Sequence, residues 1–144
     1  MTEQTGRDLA ASKPDAASNY KHILVVEDNA DVLRMLCELL RILGHTFRGA
    51  QNSEEAMNFL AGTDAFDVLL TDITLPGMSG IELARIVASS HPAMTIIFTS
   101  GYSVEPRIAL DFPFFVLPKP YTLPQLLELL GKSPMSAEIQ KKEN

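Results

Sequence analysis

At 144 residues the chain is about one domain in length and long enough to bury a core. A formal net charge of −6 argues against direct binding to nucleic acid, whose phosphates need a basic face. The single cysteine, Cys37, excludes an internal disulfide, and no apolar run approaches the roughly 18 residues of a membrane span. Arg7 and Lys13 have no apolar stretch behind them, so the N-terminus does not read as a secretory signal, and a cytoplasmic location is expected.

Residues 1–20 are polar and aperiodic, and are expected to form a disordered tail. Ile23-Leu24-Val25-Val26 is a continuous apolar run that suits a strand covered on both faces. It ends in Glu27-Asp28-Asn29. Val32, Leu36, Leu39, Leu40 and Leu43 then recur at helical spacing, which predicts a helix from about Ala30 to Leu43 with Gly44 as its stop. Cys37 falls inside this pattern and reads as a small buried hydrophobe. His45 to Ala50 is a weaker strand. Ser53 is the expected N-cap of a second helix that reaches about Ala61.

Val68-Leu69-Leu70-Thr71 is a short apolar run that ends in one carboxylate, Asp72, and the turn residues Pro76 and Gly77 follow. Ser79-Gly80-Ile81-Glu82 is a capping-box pattern and starts a helix to about Ser90, which His91-Pro92 breaks. Thr95 to Thr99 is a fourth strand, followed by Ser100-Gly101-Tyr102. A short helix is expected from Val104 to about Leu110, then a fifth strand over Phe114 to Leu117. Thr122-Leu123-Pro124-Gln125 is a second capping-box pattern, and Leu126, Leu127, Leu129 and Leu130 give its helix an apolar face before Gly131. Residues 133–144 are polar and read as a flexible tail. Five strands alternating with five helices argue for a parallel sheet with helices on both faces.

In such a sheet the C-terminal strand ends share one edge, where ligands of open α/β folds bind. Glu27 and Asp28 close the first strand, Asp72 the third, and Thr99-Ser100 the fourth, while Lys119 follows the fifth. Three carboxylates brought together repel and need a counter-charge, for which a hard divalent cation such as Mg2+ is suited. A carboxylate can act as a nucleophile toward phosphorus, and a metal, an ammonium and a hydroxyl donor stabilise charge on a transferring phosphoryl group. No Ser–His–Asp arrangement emerges, and His22, His45 and His91 suggest no shared site.

With these residues in view, the sequence resembles the receiver domain of two-component response regulators. Four stretches carry the resemblance: Ile23–Asn29 (ILVVEDN), Leu70–Gly80 (LTDITLPGMSG), Ile96–Tyr102 (IIFTSGY) and Leu117–Tyr121 (LPKPY). It extends over roughly residues 21–132, the expected receiver domain. The third and fourth stretches look most like receivers of hybrid histidine kinases. The resemblance implies a flavodoxin-like, doubly wound five-stranded parallel sheet of order 2-1-3-4-5.

It also implies residue roles. Asp72 is the expected phosphoacceptor. Glu27 and Asp28 are expected to hold Mg2+ together with Asp72 and the backbone carbonyl of Thr74. Ser100 and Lys119 are expected to contact the phosphoryl group, and Thr74 and Tyr102 to tune its loss. A cis bond is expected at Lys119–Pro120. Two features depart from the family pattern. Val116 stands where an aromatic is usual, with Phe115 expected on the opposite face, so the usual aromatic switch is in doubt. The segment from Ser103 to Pro113 is short and holds two prolines, so its helix is expected to be reduced.

The resulting expectation is a phosphoryl-accepting signalling module rather than an enzyme. Its partners would be a sensor or hybrid histidine kinase, or a histidine phosphotransfer protein, and an unknown downstream protein. The residues after Gly131 are too few for an output domain, so output is expected through protein contact or as a phosphate sink. Two alternatives compete. One is a pseudo-receiver that binds partners without phosphorylation. The other is a phosphatase of the haloacid dehalogenase type, which would usually carry a second Asp where Thr74 stands.

Overall fold

A computed structural model describes residues 20–101 and 110–132. In chain order the elements are β1 (His22–Val26), α1 (Ala30–Ile42), β2 (Thr46–Ala50), α2 (Ser53–Leu60), β3 (Val68–Asp72), α3 (Gly80–Ser90), β4 (Thr95–Ser100), β5 (Phe115–Pro118) and α4 (Leu123–Leu130). The strands form one parallel sheet in the order β2-β1-β3-β4-β5, the 2-1-3-4-5 order expected. The tails and the predicted helix before Leu110 lie outside the described residues.

Strand side chains alternate across the sheet, so each apolar run supplies two cores. Leu24, Val26, Leu69, Ile96 and Phe98 face α2 and α3, packing with Ala56, Leu83, Ala84 and Val87. Ile23, Val25, Val68, Leu70 and Ile97 face α1 and α4, packing with Leu36, Leu40, Leu126 and Leu130. Burying each of these large aliphatic side chains contributes about 1.5–3 kcal/mol. The same alternation sends Phe114 and Val116 to the first core and Phe115 and Leu117 to the second. Val116 thus lies opposite Phe98 in register, with Phe115 on the other face as expected.

Helix ends follow local chemistry with one exception. Asn29 caps α1, its Oδ1 accepting from the amides of Asp31 and Val32 at 3.0 and 3.1 Å. At the other end the amide of Gly44 donates to the Arg41 carbonyl and that of His45 to the Leu40 carbonyl. This double closure needs a left-handed residue, and Gly44 has φ +94°. Both capping boxes form, Ser79 with Glu82 and Thr122 with Gln125. The exception is α2. Its N-cap is Asn52, whose side chain accepts from the Glu55 amide, and not Ser53. Ser53 is the first helical residue and is buried, its hydroxyl donating to the Met78 carbonyl at 2.9 Å.

Smaller differences concern element limits and Cys37. β3 and β4 each run one residue further than predicted, to Asp72 and Ser100, and β5 is shifted one residue onward. Cys37 is half-buried rather than buried, and burial still pushes its thiol up.

Candidate functional site

The C-terminal strand edge gathers the predicted acids. Glu27 follows β1 and is buried, with its amide donating to the Ala50 carbonyl at 3.0 Å. Its Oε2 accepts from the Asn29 amide at 3.0 Å, which fixes the carboxylate toward the start of α1. Asp28 is exposed beside it. Asp72 ends β3, paired in register with Thr99 of β4. One oxygen from each of Glu27, Asp28 and Asp72 lies within 4.8 Å of the other two.

Lys119 reaches into this cluster from the loop after β5. Its Nζ donates to Glu27 Oε1 and to Asp72 Oδ2, both at 3.2 Å. Partial burial works against its charge, but the carboxylates of Asp72 and Glu27 outweigh that and hold the ammonium above the usual lysine range. The backbone fixes its approach, because the Lys119 amide donates to the Ser100 carbonyl at 2.7 Å. The Lys119–Pro120 bond is cis, as expected. Ser100 itself ends β4 and is buried. The other oxygen of Asp72, Oδ1, accepts from the Thr74 amide at 3.3 Å. Both oxygens of Asp72 are therefore oriented, one by a loop amide and one by an ammonium.

Three carboxylates and one ammonium leave a formal surplus of two negative charges in a small volume. An all-oxygen donor set of this kind fits a hard divalent cation that keeps part of its water shell. Glu27, Asp28, Asp72 and Lys119 are brought together directly. Ser100 and Thr74 adjoin them through backbone contacts, and Val116 lies deeper, in the core with Phe98 and Phe114. Tyr102 lies outside the described residues.

Three further residues shape the site. Gly80, the first residue of α3, sits so close to β3 that a Cβ there would lie 1.9 Å from the Asp72 carbonyl oxygen. Its amide donates to the Ile73 carbonyl at 2.9 Å. The capping box marked the helix start, but no local pattern announces this long-range approach. Tyr121 packs partly buried against the α1–α4 core, and burial raises its hydroxyl above the usual tyrosine range. Nearby Lys119 works against that shift, while Glu27 and Asp72 reinforce it. Asn29 links the acid pair to the cap of α1.

The family model for the response regulator receiver domain matches residues 23–130. The chain belongs to the response regulator receiver domain family. This receiver is 33% identical over 120 residues to the response regulator receiver protein CpdR of Brucella abortus, across 81% of this chain and 99% of that protein. It is 32% identical over 124 residues to the sensor kinase CckA of the same organism, across 83% of this chain but only 13% of the kinase. Among solved structures, the response regulator TrrA of Thermotoga maritima, in complex with Mg(2+)-BeF, superposes with a TM-score of 0.53 at 36% identity. That match covers 58% of this receiver and 71% of TrrA. Among the described residues no helix is long and apolar enough to cross a membrane.

Proposed function

We propose that this receiver accepts a phosphoryl group on Asp72 from a phosphohistidine. The donor would be a sensor or hybrid histidine kinase, or a histidine phosphotransfer protein. The observation that carries the proposal is the Lys119 ammonium, 3.2 Å from both Asp72 and Glu27 with the Asp28 carboxylate in the same cluster. An oxygen of Asp72 attacks phosphorus and a new O–P bond forms. The donor P–N bond breaks, and its electron pair goes to the imidazole nitrogen. Thr74 and Lys119 hold the carboxylate plane before the donor arrives, so little orientation is left to be gained in the reaction.

Mg2+ bound by Glu27, Asp28, Asp72 and the Thr74 carbonyl would supply positive charge to the phosphoryl oxygens. Lys119 adds a second positive group, and the Ser100 hydroxyl is the candidate donor to a phosphoryl oxygen. The TrrA complex with Mg(2+)-BeF supports a metal at this acid cluster, and the likeness to CckA supports a kinase-linked circuit. Residues 21–132 act as the receiver unit, and the module works in the cytoplasm by contact with a downstream protein. An added charge of about −2 shifts an existing equilibrium of the loops around Asp72 and Ser100. With Val116 in place of the usual aromatic, this shift does not use an aromatic swing at that position. Tyr102, by its place in the family pattern, is proposed to tune loss of the phosphoryl group.

Incubation with Mg2+ and acetyl phosphate tests the proposal. A base-labile phosphoryl adduct on the protein, one per chain, is expected. Absence of an adduct would leave a binding module without phosphorylation, and turnover of many phosphoesters per chain would make it a phosphatase. Either result overturns the proposal.

A further inference from the structure

The turn between β2 and α2 touches both loops that carry the acids. At its start the Ala50 carbonyl accepts from the Glu27 amide at 3.0 Å. Next, Gln51 Nε2 reaches to 3.5 Å from the Asp28 carbonyl, while the Gln51 amide donates to Glu55 Oε1 at 2.7 Å. At its end the Ser53 hydroxyl donates to the Met78 carbonyl at 2.9 Å. Met78 belongs to the loop that runs from Asp72 to Gly80. Three of the four residues 50–53 therefore hold the Glu27–Asp28 loop on one side and the Asp72 loop on the other, while Asn52 caps α2.

The contact made by Ser53 differs from the others in kind. Among the described residues the remaining polar ties of residues 74–79 are local, made to Asp72, within the capping box or to the first turn of α3. Among the described residues, Ser53 alone bonds residues 74–79 from a distant segment. Ser53 is also 1% exposed, so water cannot replace its hydroxyl when the bond is lost. Asn52 performs the capping of α2, which leaves the Ser53 side chain with no part in starting the helix.

We infer that Ser53 is a positioning residue: its bond to Met78 sets the spacing between the Asp72 loop and the Glu27–Asp28 loop, and so sets metal affinity. This rests on the proposed Mg2+ site. Loss of the hydroxyl frees the Met78 carbonyl, loosens residues 74–79 and widens the range of distances between Asp72 and the acid pair. A cation that needs near-ideal oxygen geometry then binds more weakly, although each acid remains in place. The rate at saturating metal is largely kept, because Asp72, Lys119 and Ser100 are untouched.

The test compares wild type with Ser53→Ala by two readouts. The first is amide hydrogen exchange of residues 74–80 without metal, where the variant should exchange about threefold to tenfold faster, the range of one lost hydrogen bond. The second is Mg2+ titration followed by amide chemical shifts and by the rate of phosphorylation from acetyl phosphate. Half-saturation should move to about threefold to tenfold more Mg2+, with the saturating rate within about twofold of wild type. A merely structural role would lower the unfolding midpoint and leave half-saturation unchanged. Val87→Ala, a core variant on α3 away from the loop, provides that reference. Unchanged Mg2+ half-saturation in a folded Ser53→Ala protein overturns the inference. If wild type itself binds no Mg2+ and takes no phosphoryl group, the proposed function fails instead. The exchange readout in metal-free protein still decides whether Ser53 orders the loop.

Discussion

The two ends of the sheet hold carboxylates in opposite ways. At the N-terminal strand edge, Asp64 accepts from Arg48 Nε at 2.9 Å and faces His22 Nε2 at 3.0 Å. The other nitrogen of His22 meets the Thr46 hydroxyl at 2.7 Å, and its ring stacks on Phe66. Asp67 accepts from the His22 amide at 2.8 Å. Hydrogen bonds from Arg48 and then His22 hold the Asp64 carboxyl below the usual range. Each acid there has its own donors. At the C-terminal edge three acids cluster around one ammonium, which bonds Glu27 and Asp72 and leaves Asp28 without it. The first arrangement is closed and ties β1, β2 and the α2–β3 loop together. The second leaves negative charge unmatched, which is what a site for a cation and an incoming phosphoryl group requires. Acids at strand ends therefore gain meaning from the donors around them and not from their number.

Exchanging one acid at each end breaks the comparison most sharply. Asp72→Asn should abolish the base-labile adduct formed with acetyl phosphate and Mg2+. Asp64→Asn should leave it intact, because its donors are structural. An adduct of equal yield on Asp72→Asn would place the chemistry elsewhere.

Lys119→Gln comes next. It removes the only cation found in the cluster among the described residues while keeping a hydrogen-bond donor. Phosphorylation at saturating Mg2+ should slow by roughly 10²-fold to 10³-fold, the usual cost of a lost oxyanion donor. Mg2+ should bind at least as tightly as before, since a neighbouring positive charge has gone. Rates follow from quenched phosphorylation reactions and affinity from metal titration. Weaker Mg2+ binding in the variant would mean that Lys119 chiefly holds the acids in place.

Gly80→Ala probes the backbone beneath Asp72. The new Cβ cannot coexist with the Asp72 carbonyl oxygen, so β3 or α3 must shift, at about 2–3 kcal/mol in urea unfolding. Gly62→Ala is the contrast. The nearest atom to its added Cβ is the Phe59 carbonyl oxygen at 3.4 Å, and its effect should stay within about 0.5 kcal/mol. Equal effects at the two glycines would show that the close approach is easily relieved.

How much of this was legible in the sequence follows from which signals are local. The strands are short apolar runs closed by turn residues, and both capping boxes are four-residue patterns, so all stood out within a residue or so. The sheet order came from the family resemblance, since periodicity carries no order. Asn52-Ser53 shows the limit. Both residue types cap helices, and the contact with Met78, 25 residues away, decides which one does. Gly80 was hidden for the same reason, because its neighbour is a backbone carbonyl on another element. The acids of the site were visible as residue types at strand ends. Their sharing of Lys119, like the pairing of His22 with Asp64 at the far end, depends on strand register and could not be read before the sheet was built.

The smallest expected effect belongs to the N-terminal edge and concerns pH. His45 is buried, and its Nδ1 accepts from the Lys21 amide at 3.0 Å, so the folded state holds the neutral ring. Burial, with the charge of Lys21, lowers its proton affinity below the usual histidine range. Below the usual value of about 6.5 the unfolded chain takes up a proton that the folded chain resists. The stability from this group is therefore complete above that value and is lost as pH falls through it, levelling off below the lowered folded value. Other acids titrate in the same direction, so wild type alone is not diagnostic. Urea unfolding of wild type and His45→Gln at about pH 7.5 and about pH 5.5 isolates the term. Relative to the variant, wild type should lose stability at the lower pH. A difference that stays constant or grows in favour of wild type would mean that a protonated His45 finds a partner at this edge, and that the N-terminal end is less closed than its hydrogen bonds indicate.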